Sequence, residues 1–300
     1  MGNEKELLPA YSGKMKVEGG SRDIYWEYYG NKEKEAVCLL NGLAMDTRAW
    51  RGVVPQVYPE YDVLLFNYLG QEAPDKESSC LDEPYYISHF AEYLKMILDH
   101  LEIEKLHVMG VSYGGFVAAD FGRLFQDRMY TLTMSGILLK RHTLFQQYQD
   151  LSLMFYKRGD EIFEVYTHFM YEKIFGENFA EKIYGDTMKH MQENFFGRYN
   201  PKKHCLIRLT EAQNPFFENI DNNPDCYSEI KVPTLMLTGE QDRAVPIWFQ
   251  AEIPHIIPDC VHIMIPESGH LTYLERPDIF WPNLRNFMKE KSTDFTRVNI

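Results

Sequence analysis

Gly110-Val111-Ser112-Tyr113-Gly114-Gly115 follows the apolar run Leu106 to Met109 and precedes the helical pattern Gly115 to Phe125. A G-x-S-x-G between a strand and a helix is the setting of a nucleophile elbow. The sharp turn forces the Ser112 side chain out at the end of the strand. Gly110 and Gly114 lack a Cβ, so neighbouring backbone can approach. The helix N-terminus offers amide N–H groups and a partial positive charge to an oxyanion forming beside Ser112.

Outward from this turn, short apolar runs alternate with helical patterns, which predicts a largely parallel sheet flanked by helices. Met15 to Val17 and Ile24 to Tyr29 read as an opening hairpin around Gly19-Gly20. Val37 to Leu40, Val63 to Phe66, Leu132 to Met134, Thr234 to Leu237 and His262 to Ile265 read as strands. Continuous apolar runs suit strands buried on both faces. Ser88 to Leu101 carries Phe90, Leu94, Ile97, Leu98 and Leu101 near a 3.6-residue period. Asp278 to Lys289 is a last helix that Asp278 is expected to cap. Residues from Ser292 to Ile300 lose the pattern and read as a loose tail.

From about His142 to Pro224 no strand is visible. Phe145, Tyr148, Phe155, Phe163 and Tyr166 recur among charged residues at helical spacing. The expected organisation is a core domain of residues 1–141 and 225–300, with an inserted helical cap, or lid, of residues 142–224. The aromatics of that cap form its own small core or line an apolar ligand pocket.

A serine hydroxyl is a weak nucleophile without a base. His270, in Glu267-Ser268-Gly269-His270, falls just past the last strand, where open α/β sheets place their ligands. His107, His168, His190, His204 and His262 read as ordinary core or surface residues. Asp242 follows the strand before, and is the candidate to orient the imidazole. Glu240 is its near rival. Asp242 is preferred because a loop needs a few residues beyond the strand to turn an acid toward the histidine.

These segments resemble the α/β-hydrolase fold superfamily, and more narrowly its capped branch of esterases, enol-lactonases and C–C bond hydrolases. The resemblance runs from about Ile24 to Met288. It rests on Leu39-Leu40-Asn41-Gly42, Asn67-Tyr68-Leu69-Gly70-Gln71, the Ser112 elbow, the Gly239–Asp242 loop, and Ser268-Gly269-His270 with Glu275-Arg276-Pro277. It implies an α/β fold with a mostly parallel, eight-stranded sheet and catalysis by Ser112, Asp242 and His270, in the chain order of that fold. It also implies an oxyanion hole from the backbone N–H groups of Leu43 and Tyr113. Two departures stand out. Asn41 replaces the usual histidine of a His-Gly pair, and its amide is expected to hydrogen-bond in that place. The loop after the next strand usually reads Asp-x-x-Gly-x-Gly-x-Ser. It has Asn67 for the Asp, Glu72 for the second Gly and Pro74 at the Ser position. Ser112 in place of an Asp points away from haloalkane dehalogenases and epoxide hydrolases.

Composition narrows the field. In 300 residues, 45% are hydrophobic and 25% charged, as in soluble globular proteins. With 31 Lys+Arg against 44 Asp+Glu the net charge is −13, which repels phosphate backbones and argues against nucleic-acid binding. The five cysteines form no CxxC pair and read as idle thiols in a reducing compartment. No signal-peptide pattern, myristoylation pattern, glycosylation sequon or run of ~18 apolar residues occurs. A cytoplasmic location is the expectation. No metal cluster, Walker loop or dinucleotide fingerprint is present, so no cofactor and no metal are expected. The reading is a serine hydrolase for an ester-like or other carbonyl substrate with an apolar portion. Acyl transfer by the same triad, or a low-turnover ligand receptor on a hydrolase scaffold, are the alternatives.

Overall fold

The computed structural model describes residues 7–71 and 84–298. Eight strands form one sheet: β1 (Tyr11–Val17), β2 (Arg22–Tyr29), β3 (Ala36–Leu40), β4 (Asp62–Phe66), β5 (Leu106–Val111), β6 (Met129–Ser135), β7 (Thr234–Gly239) and β8 (Cys260–Ile265). Their order is β1-β2-β4-β3-β5-β6-β7-β8. β1–β2 and β2–β4 run antiparallel, and every other pair is parallel.

The apolar runs are continuous because both faces of the sheet are covered. Cys38 and Leu40 pack into one core with Val108, Leu132 and Met134. Val37 and Leu39 point the other way, into a second core with Met109, Leu235 and Leu237. Helices α1 (Thr47–Arg51), α2 (Ile87–His100) and α3 (Tyr113–Phe125) precede the middle of the chain. α2 and α3 cover the first face through Phe90, Leu94, Val117 and Phe121. Trp50 of α1 covers the second.

Between β6 and β7 lie α4 (Thr143–Lys157), α5 (Asp160–Ile174), α6 (Glu177–Ile183), α7 (Asp186–Tyr199), α8 (Lys203–Glu211) and α9 (Gln213–Asn222). Tyr156, Phe163, Tyr166, Tyr199 and Leu206 form a separate cluster among them. Phe145, Phe216 and Phe217 join the main core instead. α10 (Ile247–Gln250), α11 (Thr272–Glu275) and α12 (Pro277–Glu290) complete the chain, and Phe280, Trp281, Leu284 and Phe287 of α12 cover the second face.

Two expectations change. Asp278 is not the N-cap of the last helix. Arg276 holds that position and Pro277 begins the helix, since its fixed φ is preset for the first turn. Asp278 bonds the Arg276 guanidinium instead. Nor are residues 292–298 loose. Phe295 is buried in the second core, Thr293 Oγ1 donates to Asp259 Oδ1 at 2.6 Å, and Val298 N–H donates to Asn283 Oδ1 at 3.1 Å. Glu72 and Pro74 lie outside the described residues.

Candidate active site

Parallel strands β3 to β8 deliver six loops to one edge of the sheet, their C-terminal ends. Ser112 follows β5, between strands β3 and β6. Its backbone sits at φ 52° and ψ −124°, a strained conformation for a residue with a Cβ. The turn is held by Ser112 N–H donating to Ser135 O at 2.8 Å and Gly115 N–H donating to Ser112 O at 2.8 Å.

Asp242 and His270 come from the loops after β7 and β8. The His270 Nδ1–H donates to Asp242 Oδ2 at 2.8 Å, and both side chains are buried. Asp242 is surrounded by donors. Its Oδ1 accepts from the N–H groups of Ala244 at 2.9 Å and Val245 at 2.8 Å, and its Oδ2 also accepts from Gln250 Nε2 at 3.0 Å. Glu240 is exposed and accepts the Glu267 N–H, so Asp242 is the acid that meets the imidazole. Burial works against charging His270, but the Asp242 carboxylate outweighs it and raises the imidazole above its ordinary range. With Nδ1 engaged, Nε2 is the nitrogen left to act as a base. Ser112 and His270 line the same cavity, of about 250 Å³.

Leu43 and Tyr113 line that cavity as well. Gly42 lies against the Ser112 side chain. Gln71 Nε2 donates to Gly42 O at 2.9 Å and to Leu43 O at 3.1 Å. In a trans peptide the C=O of residue 42 and the N–H of residue 43 point in opposite directions. Holding the Gly42 carbonyl therefore turns the Leu43 N–H away from Gln71. Asn41, buried, donates to Phe66 O at 2.8 Å and to Gln71 Oε1 at 3.1 Å, and accepts from Trp50 Nε1 at 2.8 Å. Its amide thus anchors the loop between two strands. The Tyr113 N–H opens α3 and has no carbonyl one turn earlier to bond.

The model of the alpha/beta hydrolase fold family matches residues 35–277. The chain belongs to this family. The uncharacterized hydrolase YugF of Bacillus subtilis (strain 168) is 22% identical over 276 residues, 89% of this chain and 94% of the relative. The 2-hydroxy-6-oxo-6-phenylhexa-2,4-dienoate hydrolase of Comamonas testosteroni is 25% identical over 279 residues, 90% and 93% of the two chains. Among solved structures, the alpha/beta hydrolase MGS-M2 from a Medee basin deep-sea metagenome superposes with a TM-score of 0.81. It is 22% identical, with 96% of this chain and 99% of that one covered.

Several residues around the site of this alpha/beta hydrolase carried no role in the sequence. Gln250, fully buried, accepts the Gly136 N–H at 2.8 Å while donating to Asp242. Gly136, at φ +69°, packs against the His270 ring so closely that a Cβ would strike it. Glu275 accepts N–H groups from Gly269 at 2.9 Å, Leu271 at 3.2 Å and Gly176 at 2.8 Å. Burial raises its carboxyl, with those three donors pulling the other way. Gln71 and Glu275 stand in segments that carry the family resemblance but had no role assigned, and Gln250 stands only as a polar residue beside an apolar run. His107 is the opposite case, a core residue bonded to Thr131 and Glu35, whose burial lowers its pKa to about 4. Among the described residues no helix is long and apolar enough to cross a membrane, and no group of three or more His, Cys, Asp or Glu is placed to hold a metal ion.

Proposed function

We propose that this hydrolase cleaves an ester-like or other carbonyl substrate with an apolar portion, through an acyl-enzyme on Ser112. Ser112 Oγ attacks the carbonyl carbon while His270 Nε2 takes its proton. Asp242 holds the ring in the tautomer that leaves Nε2 free and stabilises the imidazolium. The N–H groups of Leu43 and Tyr113 receive the oxyanion. On collapse, His270 gives the proton to the leaving group. Water then attacks the acyl-enzyme, His270 takes its proton, and Ser112 is regenerated as the acid product leaves. The helices of residues 142–224 act as a cap that roofs the cleft and excludes bulk water.

One observation carries this reading. The buried Asp242–His270 pair, bonded at 2.8 Å, shares a cavity wall with Ser112 on its strained turn.

Intact-mass spectrometry after fluorophosphonate treatment tests it. One adduct is expected on the wild type and none on Ser112→Ala, with hydrolysis of p-nitrophenyl esters lost by at least about 10³-fold in the variant. No adduct on folded wild type overturns the proposal and leaves the ligand-receptor alternative. Product partitioning with an added alcohol separates hydrolysis from acyl transfer.

A further inference from the structure

The cavity beside Ser112 is lined mostly by apolar and aromatic side chains, with a few polar ones among them. Near the sheet its walls are mainly apolar, with Leu43, Met45, Val111 and Phe116 among them. Among the lining residues from α4, α8 and α9 are the polar Gln149, Ser152, Thr210 and Gln213, beside aromatics such as Tyr166 and Phe195. Yet among the described residues no Lys, Arg, Asp or Glu lines the cavity, and His270 is the one imidazole that does. An ionised ligand group entering this space loses water and meets no opposite charge, which disfavours it strongly. The Comamonas relative is named for a dienoate, a carboxylate. Nothing in this wall pairs such a group.

Three polar atoms of lining residues are buried without a partner among the described residues, Tyr113 Oη, Thr210 Oγ1 and Gln149 Oε1, and only the last, on Gln149, is a pure acceptor. Gln149 is buried. Its Nε2 donates to Asn214 Oδ1 at 2.8 Å and to the Thr210 backbone carbonyl at 3.3 Å. A carbonyl accepts only, so that partner fixes which end of the amide is nitrogen. The other end, Oε1, is an acceptor with no donor among the described residues. Two neighbouring hydroxyls donate elsewhere, and a third, Thr210 Oγ1, reaches no partner among the described residues. Ser152 Oγ donates to Tyr148 O at 2.9 Å, and Tyr156 OH donates to Tyr166 OH at 2.7 Å. Buried acceptors are nearly always paired, and an orphan asks for an explanation.

We propose that the cavity selects an uncharged substrate whose end remote from the scissile carbonyl carries a hydrogen-bond donor, a hydroxyl or an N–H, received by Gln149 Oε1. The proposal rests on the reading of Ser112 as nucleophile, since that sets which end of the substrate lies at the sheet.

The test uses three p-nitrophenyl esters of equal chain length: octanoate, 8-hydroxyoctanoate and the mono-ester of suberate. On the wild type, kcat/KM for the hydroxyl-ended ester is expected to exceed that for the methyl-ended one by about 3- to 10-fold, the usual worth of a neutral hydrogen bond. The carboxylate-ended ester is expected to fall about 100-fold or more below both. In Gln149→Met, which keeps the side-chain length and removes the acceptor, the hydroxyl-to-methyl ratio should collapse to about one. A wild-type ratio of one or less, a ratio unchanged in Gln149→Met, or efficient turnover of the suberate ester overturns the proposal. The wild-type ratios stand even if the variant fails to fold. Calorimetry with the unreactive pair 10-hydroxydecan-2-one and decan-2-one supplies an arm that needs no turnover. If no ester is cleaved, or Ser112→Ala cleaves all three, the nucleophile reading fails. Preferential binding of the hydroxyketone, lost in Gln149→Met, then still supports the subsite, and equal binding of the two ketones refutes it.

Discussion

The backbone N–H of His270 donates to the carbonyl oxygen of Ile174 at 2.7 Å. The loop carrying the candidate base is therefore bonded directly to the end of α5. Neighbouring bonds repeat the tie. Glu275 joins Gly176 to Gly269 and Leu271, Gln241 Oε1 accepts the Glu177 N–H at 2.7 Å, and Arg243 bonds the Phe175 carbonyl at 3.1 Å. The position of the imidazole depends on both sides of this seam.

Glu275 is predicted to be a positioning residue. Glu275→Ala strips three N–H groups of their acceptor and is expected to cost about 2 kcal/mol of stability, with kcat reduced about 10- to 100-fold. The Glu275 charge also helps to raise His270. The acid limb of the rate profile should therefore move to lower pH in the variant, which simple loosening of the fold does not produce. Denaturant melts and kcat/KM against pH read the two effects separately.

Asp242→Asn is expected to reduce kcat by about 10³- to 10⁴-fold. All four partners of Asp242 are donors, so whichever way the new amide turns, an NH₂ meets an N–H. The variant should also melt earlier by about 1–3 kcal/mol. Activity equal to that of the wild type on a good ester refutes the role given to Asp242.

The base must be neutral to work, so kcat/KM should rise as pH climbs through the pKa of His270. That limb should lie above the ordinary histidine value of about 6.5, because the folded-state pKa is raised. Stability has the opposite sign. The charged pair contributes fully below the unfolded-state pKa, and that contribution is lost as pH rises through the folded one. Activity and the stability from this pair should therefore trend in opposite directions across the same window. A rate limb lying below pH 6.5 contradicts the assignment.

Gln71→Leu is predicted to act through the oxyanion loop. It releases the Gly42 and Leu43 carbonyls, takes from Asn41 Nδ2 one of its two acceptors and orphans the Tyr68 N–H. A kcat loss of the order of 10²-fold is expected, with KM changed far less, since the oxyanion forms only in the transition state. Equal losses in binding of substrate and of a trifluoromethyl ketone analogue tell against this role.

The strands and the elbow were legible because local rules and tertiary context agree there. Val37 to Leu40 is apolar throughout since both faces of β3 are covered, and Ser112 sits where strand and helix patterns meet. The loops after β7 and β8 also announced Asp242 and His270 by chain order. Gln250 and Gln149 announced nothing, and Gln71 stood in a matching segment without a role. A buried amide is defined by partners as far as 29, 65 and 114 residues away, and no periodicity encodes those. The last helix misled at its start because Arg276-Pro277-Asp278 offers both a proline start and an acidic cap, and the proline prevails. The C-terminal residues showed only Phe295 as an anchor, too little to form a pattern.

Gly269 has the widest consequence. A Cβ there would collide with the backbone of Ile174 and Gly176, so main chain lies on main chain with no side chain between to absorb a misfit. Shuffling residues 142–224 between relatives as a self-contained cassette would thus break register at this seam unless residues 267–275 travel with them. Under the proposed role of residues 142–224 as a cap, two distant stretches of sequence would have to be inherited together, because recombination that separates them meets main chain packed on main chain at Gly269.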